Sequence, residues 1–151
     1  MTPPSERWPD LAGRIVGRRH ILPVRVYFED TDFSGLVYHA NYLRWCERGR
    51  SDMLRLLGVH HFELHAPGDG GAPAAFVVRR LEVDYLRPAR IDELLEIVTE
   101  CAELGGAHLT MAQEVRRGER TLCRLSAKIV LISQTGKPLR LPPAIVARFK
   151  E

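Results

Sequence analysis

The chain changes its hydrophobic period once, and that change leaves few folds open to it. From Asn41 to Leu57, apolar or small residues fall at Tyr42, Trp45, Cys46, Gly49, Met53, Leu56 and Leu57, the spacing of one buried helix face. Arg44, Arg48, Ser51 and Arg55 form the opposite, polar stripe. Asn41 is the expected N-cap and Gly58 the expected stop. Beyond residue 74 the period is two. Leu81, Val83 and Tyr85 alternate with Arg80, Glu82 and Asp84; Leu95, Ile97, Thr99 and Cys101 alternate with Glu96, Val98 and Glu100. Leu109, Met111 and Val115 follow the Gly105–Gly106 pair. After a turn around Gly118, Cys123, Leu125, Ala127, Ile129 and Leu131 face one way, and Arg124, Ser126 and Lys128 the other. Four such strands joined by short turns predict an antiparallel meander.

Upstream of the helix, Leu22 to Phe28 reads as a further strand. Residues 1–20 carry Pro3, Pro4, Pro9 and Gly13 in a polar run, and are expected to be a flexible lead-in with a solvated charge from Arg14, Arg18 and Arg19. Residues 58–74 lose all periodicity and read as a long, glycine-rich loop. The predicted order is strand, helix, then four antiparallel strands. A helix with one apolar face beside one-sided strands buries both most economically when the sheet curls around it. The expected fold class is therefore α+β: an antiparallel five-stranded sheet wrapped around one central helix, the hotdog architecture, as a single domain over residues 21–148.

A chain of 151 residues fits one domain and buries enough surface to stand without disulfides or a structural metal. Cys46, Cys101 and Cys123 are odd in number, far apart and set in apolar patterns, so they are expected to be reduced core residues. The opening MTPPSERWPD has no apolar signal core, and no stretch approaches the ~20 apolar residues of a membrane span; the expected compartment is the cytoplasm. A formal charge of +3 suits a polyphosphate ligand or an acidic protein without specifying either. The arginines are dispersed through alternating strands rather than gathered on one helix, which argues against a nucleic-acid partner. His60, His61 and His65 have HHxxxH spacing, but Pro67 and Gly68 follow at once and no cysteine or carboxylate set completes a site. No metal and no cofactor are expected.

The chemically unusual segment is Glu29-Asp30-Thr31-Asp32-Phe33-Ser34-Gly35-Leu36-Val37-Tyr38-His39-Ala40-Asn41-Tyr42. Three carboxylates lie within four residues, beside a glycine, a histidine and a helix start. Crowded carboxylates repel one another, and a turn needs only one Asp for its geometry, so the cluster points to a functional site.

Tyr27 to Asn41, reading YFEDTDFSGLVYHAN, resembles the signature of the 4-hydroxybenzoyl-CoA thioesterase family, and within it the YbgC branch associated with the Tol–Pal cell-envelope system. The resemblance continues through NYLRWCERGRSDMLRLLG and FVVRRLEVDYLRPARIDELLEI and covers roughly residues 21 to 135. It implies a hotdog fold, a homodimer or a tetramer built from two dimers, and hydrolysis of an acyl-CoA thioester, with an acyl-carrier-protein thioester as a further candidate substrate. It also implies that the second Asp of the motif, Asp32, is the catalytic carboxylate.

The chemistry fits those residues. A thioester has a good leaving group, so one carboxylate that attacks the carbonyl or deprotonates a water suffices; Asp32 is the candidate. The unpaired amides of a helix N-terminus, here around His39 to Asn41, can receive the oxyanion. Gly35 permits the tight turn between the two. His39 is a candidate to orient water, polarise the carbonyl or protonate the thiolate, with packing at the helix start as its structural alternative. Gly35, Tyr38, Ala40 and Asn41 are expected to shape the substrate site, Tyr38 as wall or hydrogen-bond donor. Asp30 is expected to hold the loop rather than react, and Glu47 to be a solvated ion-pairing residue. Arg79, Arg80, Arg87, Arg90, Arg116 and Arg117 are all available for CoA phosphates, and the sequence does not choose among them. Phe33 departs from the small residue common at its position in the branch, and is expected either to narrow the acyl pocket or to meet a partner subunit. The rival readings are a hotdog dehydratase, whose His-centred motif is absent, and a non-catalytic acyl-carrier or cell-envelope-complex binding module on the same scaffold.

Overall fold

The computed structural model describes residues 13–59 and 74–150. Its first element is a hairpin of Arg14–Val16 (β1) and Arg19–Arg25 (β2), which turns at Gly17 with φ of +64°. The lead-in expected over residues 1–20 is thus corrected: Arg14 already pairs with Ile21, and residues 1–12 lie outside the described residues. The strand expected at Leu22 to Phe28 begins and ends three residues earlier. It stops because Val26 leaves the ladder to exchange backbone bonds with Glu93 and Asp92.

The helix α1 spans His39–Leu56. Four long strands follow: Ala74–Tyr85 (β3), Leu94–Leu104 (β4), His108–Arg117 (β5) and Arg120–Ser133 (β6). A two-residue strand, Pro138–Leu139 (β7), and a short helix, Pro143–Phe149 (α2), complete the order. The sheet runs β1-β2-β4-β5-β6-β3, all pairs antiparallel, with β7 on β6. The expected five strands are β2 to β6. β1, β7 and α2 are additions too short to show a period. The loop expected over residues 58–74 lies almost wholly outside the described residues, as do His60, His61 and His65.

One face of α1 lies on the sheet. Tyr42, Trp45, Cys46 and Met53 pack with Leu95, Ile97, Leu109, Met111, Val115, Leu125 and Ile129 in one core, each fully buried aliphatic side chain contributing about 1.5–3 kcal/mol. Leu56, expected on that face, is exposed, and Leu54 is buried instead, against Val59 and Ile145 of α2. Gly49 lets the helix come close: a Cβ there would lie 3.0 Å from both Ile97 Cγ2 and Thr99 Oγ1. Beneath it, Gln113 Nε2 donates to the Cys46 carbonyl and to Thr99 Oγ1, both at 2.8 Å, while Gln113 Oε1 accepts from buried Arg50 at 2.8 Å. A second polar clip ties β2 to α1: Asp52 Oδ2 accepts from the Gly13 amide at 2.7 Å and lies 2.6 Å from buried His20 Nε2. These contacts satisfy polar groups that burial would otherwise penalise. They also fix the helix rotation, and with it the direction of its N-terminus.

Cys46 and Cys123 are buried and Cys101 is half-buried, all as free thiols. Burial pushes Cys46 up to about 12 and Cys123 up to about 11, so both are inert packing residues. No helix among the described residues is long and apolar enough to cross a membrane.

Candidate active site

The polar segment folds as two consecutive turns that end on the helix. Phe28–Asp30 is a single 3-10 turn. The Asp30 carboxylate accepts from the Tyr27 amide at 2.8 Å, and the Asp30 carbonyl accepts from the Tyr38 amide at 2.9 Å and from Asn41 Nδ2 at 2.7 Å. Asp30 is therefore the brace between the end of β2 and the start of α1, the structural role its position suggested. The same bonds correct the cap. Tyr38, not Asn41, is the N-cap, because the Asn41 side chain turns inward to a carbonyl eleven residues back.

The second turn carries Asp32. The Gly35 amide donates to the Asp32 carbonyl at 3.0 Å and the Asp32 amide to the Leu36 carbonyl at 3.0 Å. Gly35 has φ of +82°, a conformation that a side chain would strain. Asp32 Oδ1 accepts from the Ser34 amide at 2.8 Å and from the Ser34 hydroxyl, whose oxygen in turn accepts from the Leu36 amide at 3.3 Å. Ser34 thereby holds the Asp32 carboxyl below the usual carboxylate range, through its hydroxyl first and its amide second, with a smaller pull from His39. Both bonds fall on one oxygen. Oδ2 has no hydrogen-bond partner among the described residues.

Asp32 and His39 line one open cleft of about 320 Å³ with Ser34, Tyr42, Tyr85 and Arg87. The His39 ring lies 4.5 Å from that of Tyr38 and 6.2 Å, edge-on, from that of Tyr85. Tyr85 Oη donates to the His39 carbonyl at 3.0 Å, and the Ala89 amide donates to Tyr42 Oη at 2.9 Å. The amides of His39 and Ala40, the first two of α1, have no acceptor among the described residues, as helix geometry requires. One short segment therefore brings together an ionised carboxylate, an imidazole and unpaired amides.

Of the sequence-expected residues, Asp32 and His39 share the cleft, Gly35 shapes the turn, Tyr38 caps the helix beside His39, and Ala40 lies in its first turn. Asn41 is buried and serves the brace. Phe33 stands fully exposed at the tip of the turn and does not line the cleft. Among the described residues, Arg87 is the one arginine that lines it; Arg80, Arg116 and Arg117 lie against Glu82, Glu114 and Glu93. Glu47 lies away from it, in a groove of about 440 Å³ between α1 and β3, with Leu43, Leu54, Phe76 and Leu81. Ser34 and Tyr85 were not foreseen. The Asp-x-Ser spacing, a turn in which the carboxylate bonds the backbone two residues on, would have found Ser34. Tyr85 is brought in by strand pairing alone.

The thioesterase superfamily profile matches residues 34–124. The acyl-CoA thioester hydrolase YbgC of Escherichia coli is 44% identical over 131 residues, which is 85% of this chain and 94% of that protein. The acyl-CoA thioesterase YbgC of Haemophilus influenzae is 38% identical over 128 residues, 84% of this chain and 91% of its own. Among solved structures, a probable thioesterase from Bartonella henselae superposes with a TM-score of 0.77 at 48% identity, covering 82% of this chain and 99% of that one.

Proposed function

The chain belongs to the thioesterase superfamily, in the YbgC group of acyl-CoA thioester hydrolases, and we propose that the cleft beside Asp32 is where it hydrolyses an acyl-CoA thioester to the free acid and CoA. The observation that carries this reading is the Asp32 carboxylate, one oxygen tied to Ser34 and the other open, at the start of a helix with unpaired amides.

In the proposed reaction the thioester carbonyl lies against the first turn of α1, where the amides of His39 and Ala40 take the negative charge that develops on its oxygen. Asp32 Oδ2 supplies the attacking side, either by removing a proton from the water that adds to the carbonyl carbon or by adding to that carbon itself before water releases the acid. The tetrahedral intermediate collapses by breaking the C–S bond. The electron pair leaves on sulfur, and His39, on the same cleft wall, protonates the thiolate. The proton lost by the incoming water restores His39, so both groups end as they began. Fixing Oδ1 with two donors from Ser34 keeps the carboxylate ionised and in one rotamer.

Two copies are proposed to pair along β3. This 12-residue strand pairs only with β6 among the described residues, and carries exposed Val78 and Leu81 on its length. Long apolar edge strands are covered in native proteins, and the α1–β3 groove lies beside this edge. A second copy closes both, giving the homodimer or the dimer of dimers.

The test is thiol release from a panel of short aliphatic, aromatic and long-chain acyl-CoA and acyl-carrier-protein thioesters. Turnover of at least one acyl-CoA is expected; no turnover of any would remove the proposal.

A further inference from the structure

The geometry points to Tyr85 as a positioning residue of the oxyanion site, acting through the peptide that joins His39 to Ala40. The inference rests on the proposed thioesterase reaction in the cleft beside Asp32.

Tyr85 ends β3, 46 residues from His39 in sequence, yet its hydroxyl donates to the His39 carbonyl at 3.0 Å. That carbonyl is already committed to the i→i+4 bond that opens α1. The phenol is thus a second donor on an oxygen whose helical partner is in place, and the helix does not need it to form. The carbonyl oxygen of His39 and the N–H of Ala40 belong to one conjugated peptide group. A second hydrogen bond on the oxygen draws density away from the nitrogen and makes the Ala40 N–H a stronger donor, as in any polarised chain of hydrogen bonds. The amide so strengthened is one of the two first-turn amides without an acceptor among the described residues.

The ring does a second job. It meets the His39 imidazole edge-on at 6.2 Å and the Tyr42 ring at 5.6 Å, so Tyr85 holds both backbone and side chain of His39. Burial, with lesser pushes from Cys123 and Cys46, raises the phenol above its ordinary value, which keeps the hydroxyl protonated and donating throughout the neutral range. Strand β3 is the edge proposed to pair with a second copy, so this bond also ties the oxyanion site to the strand that dimerisation would immobilise.

Tyr85→Phe removes the hydroxyl and keeps the ring. With the melting temperature unchanged, kcat is expected to fall by roughly tenfold, less than the ~10²–10³ of losing an oxyanion donor outright, while KM stays within about twofold. A purely structural role would not change the carbonyl itself. The infrared stretch of a thioester bound to Asp32→Asn should therefore be compared with that bound to the Asp32→Asn, Tyr85→Phe double variant. The inference requires a shift to higher frequency, meaning a less polarised carbonyl, when the hydroxyl is removed. Wild-type kcat in Tyr85→Phe, or a rate loss with an unshifted stretch, overturns it and leaves the thioesterase reading standing. No turnover by the wild-type chain overturns both.

Discussion

Ser34 decides how Asp32 behaves. Its hydroxyl and amide converge on one carboxylate oxygen, favouring the charged form and lowering the pKa from an ordinary 3.8. The sign follows directly. A depressed carboxylate is ionised above its folded pKa, and activity that needs the ionised form is lost only as pH falls through that value. Ser34→Ala removes the hydroxyl bond, the largest cause of the depression. The acid limb of the pH profile of kcat/KM is expected to move to higher pH in the variant; an unmoved limb would show that the group titrating there is not Asp32. The motif was legible at this scale because carboxylates, glycine and histidine are chemically conspicuous in a row. Spacing alone makes Asn41 look like the cap, because its side-chain bond to the Asp30 carbonyl depends on how the two turns fold back. Tyr85 was illegible for the same reason.

At the scale of elements, α1 and the four strands of the meander were readable because each buries one face, and one-sided burial leaves a period of 3.6 or 2 in the sequence. Of the N-terminal hairpin only the second half of β2, Leu22 to Arg25, was readable, and the rest was not. Its buried His20 is polar and its anchor is the distant Asp52, so no apolar alternation marks it. β7 and α2 escaped because two and seven residues are too few to establish a period among prolines. Gly49 was read only as a small residue of the buried face, while its structural meaning is the close approach of helix to sheet. Gly49→Ala would place a methyl 3.0 Å from Ile97 and Thr99 on packed strands. Overpacking of this kind costs about 1–3 kcal/mol, despite the gain in helix propensity. Urea denaturation should show a lower midpoint with unchanged slope; a stabilised variant would mean the sheet gives way freely.

At the scale of the whole molecule, β3 pairs only with β6 among the described residues. Its other edge, the exposed Val78 and Leu81, and the groove beside α1 are what the proposed pairing would bury. A second copy would cover them symmetrically. Sedimentation at micromolar concentration should give a dimer or a multiple of it, and Leu81→Lys should weaken the assembly; a monomeric wild-type chain would contradict the pairing. Phe33, fully exposed at the tip of the Asp32 turn, then has the partner subunit as its remaining expected contact. In the proposed reaction the wrapped sheet, the braced helix start and the Ser34-held carboxylate all serve one carbon atom, that of the thioester carbonyl. Thiol release by the wild-type chain and by Asp32→Asn, on the acyl-CoA that the wild type turns over fastest, tests this most directly. The account predicts a kcat at least about 10²-fold lower in the variant with its fold and assembly intact, and wild-type turnover by a correctly folded Asp32→Asn would contradict it.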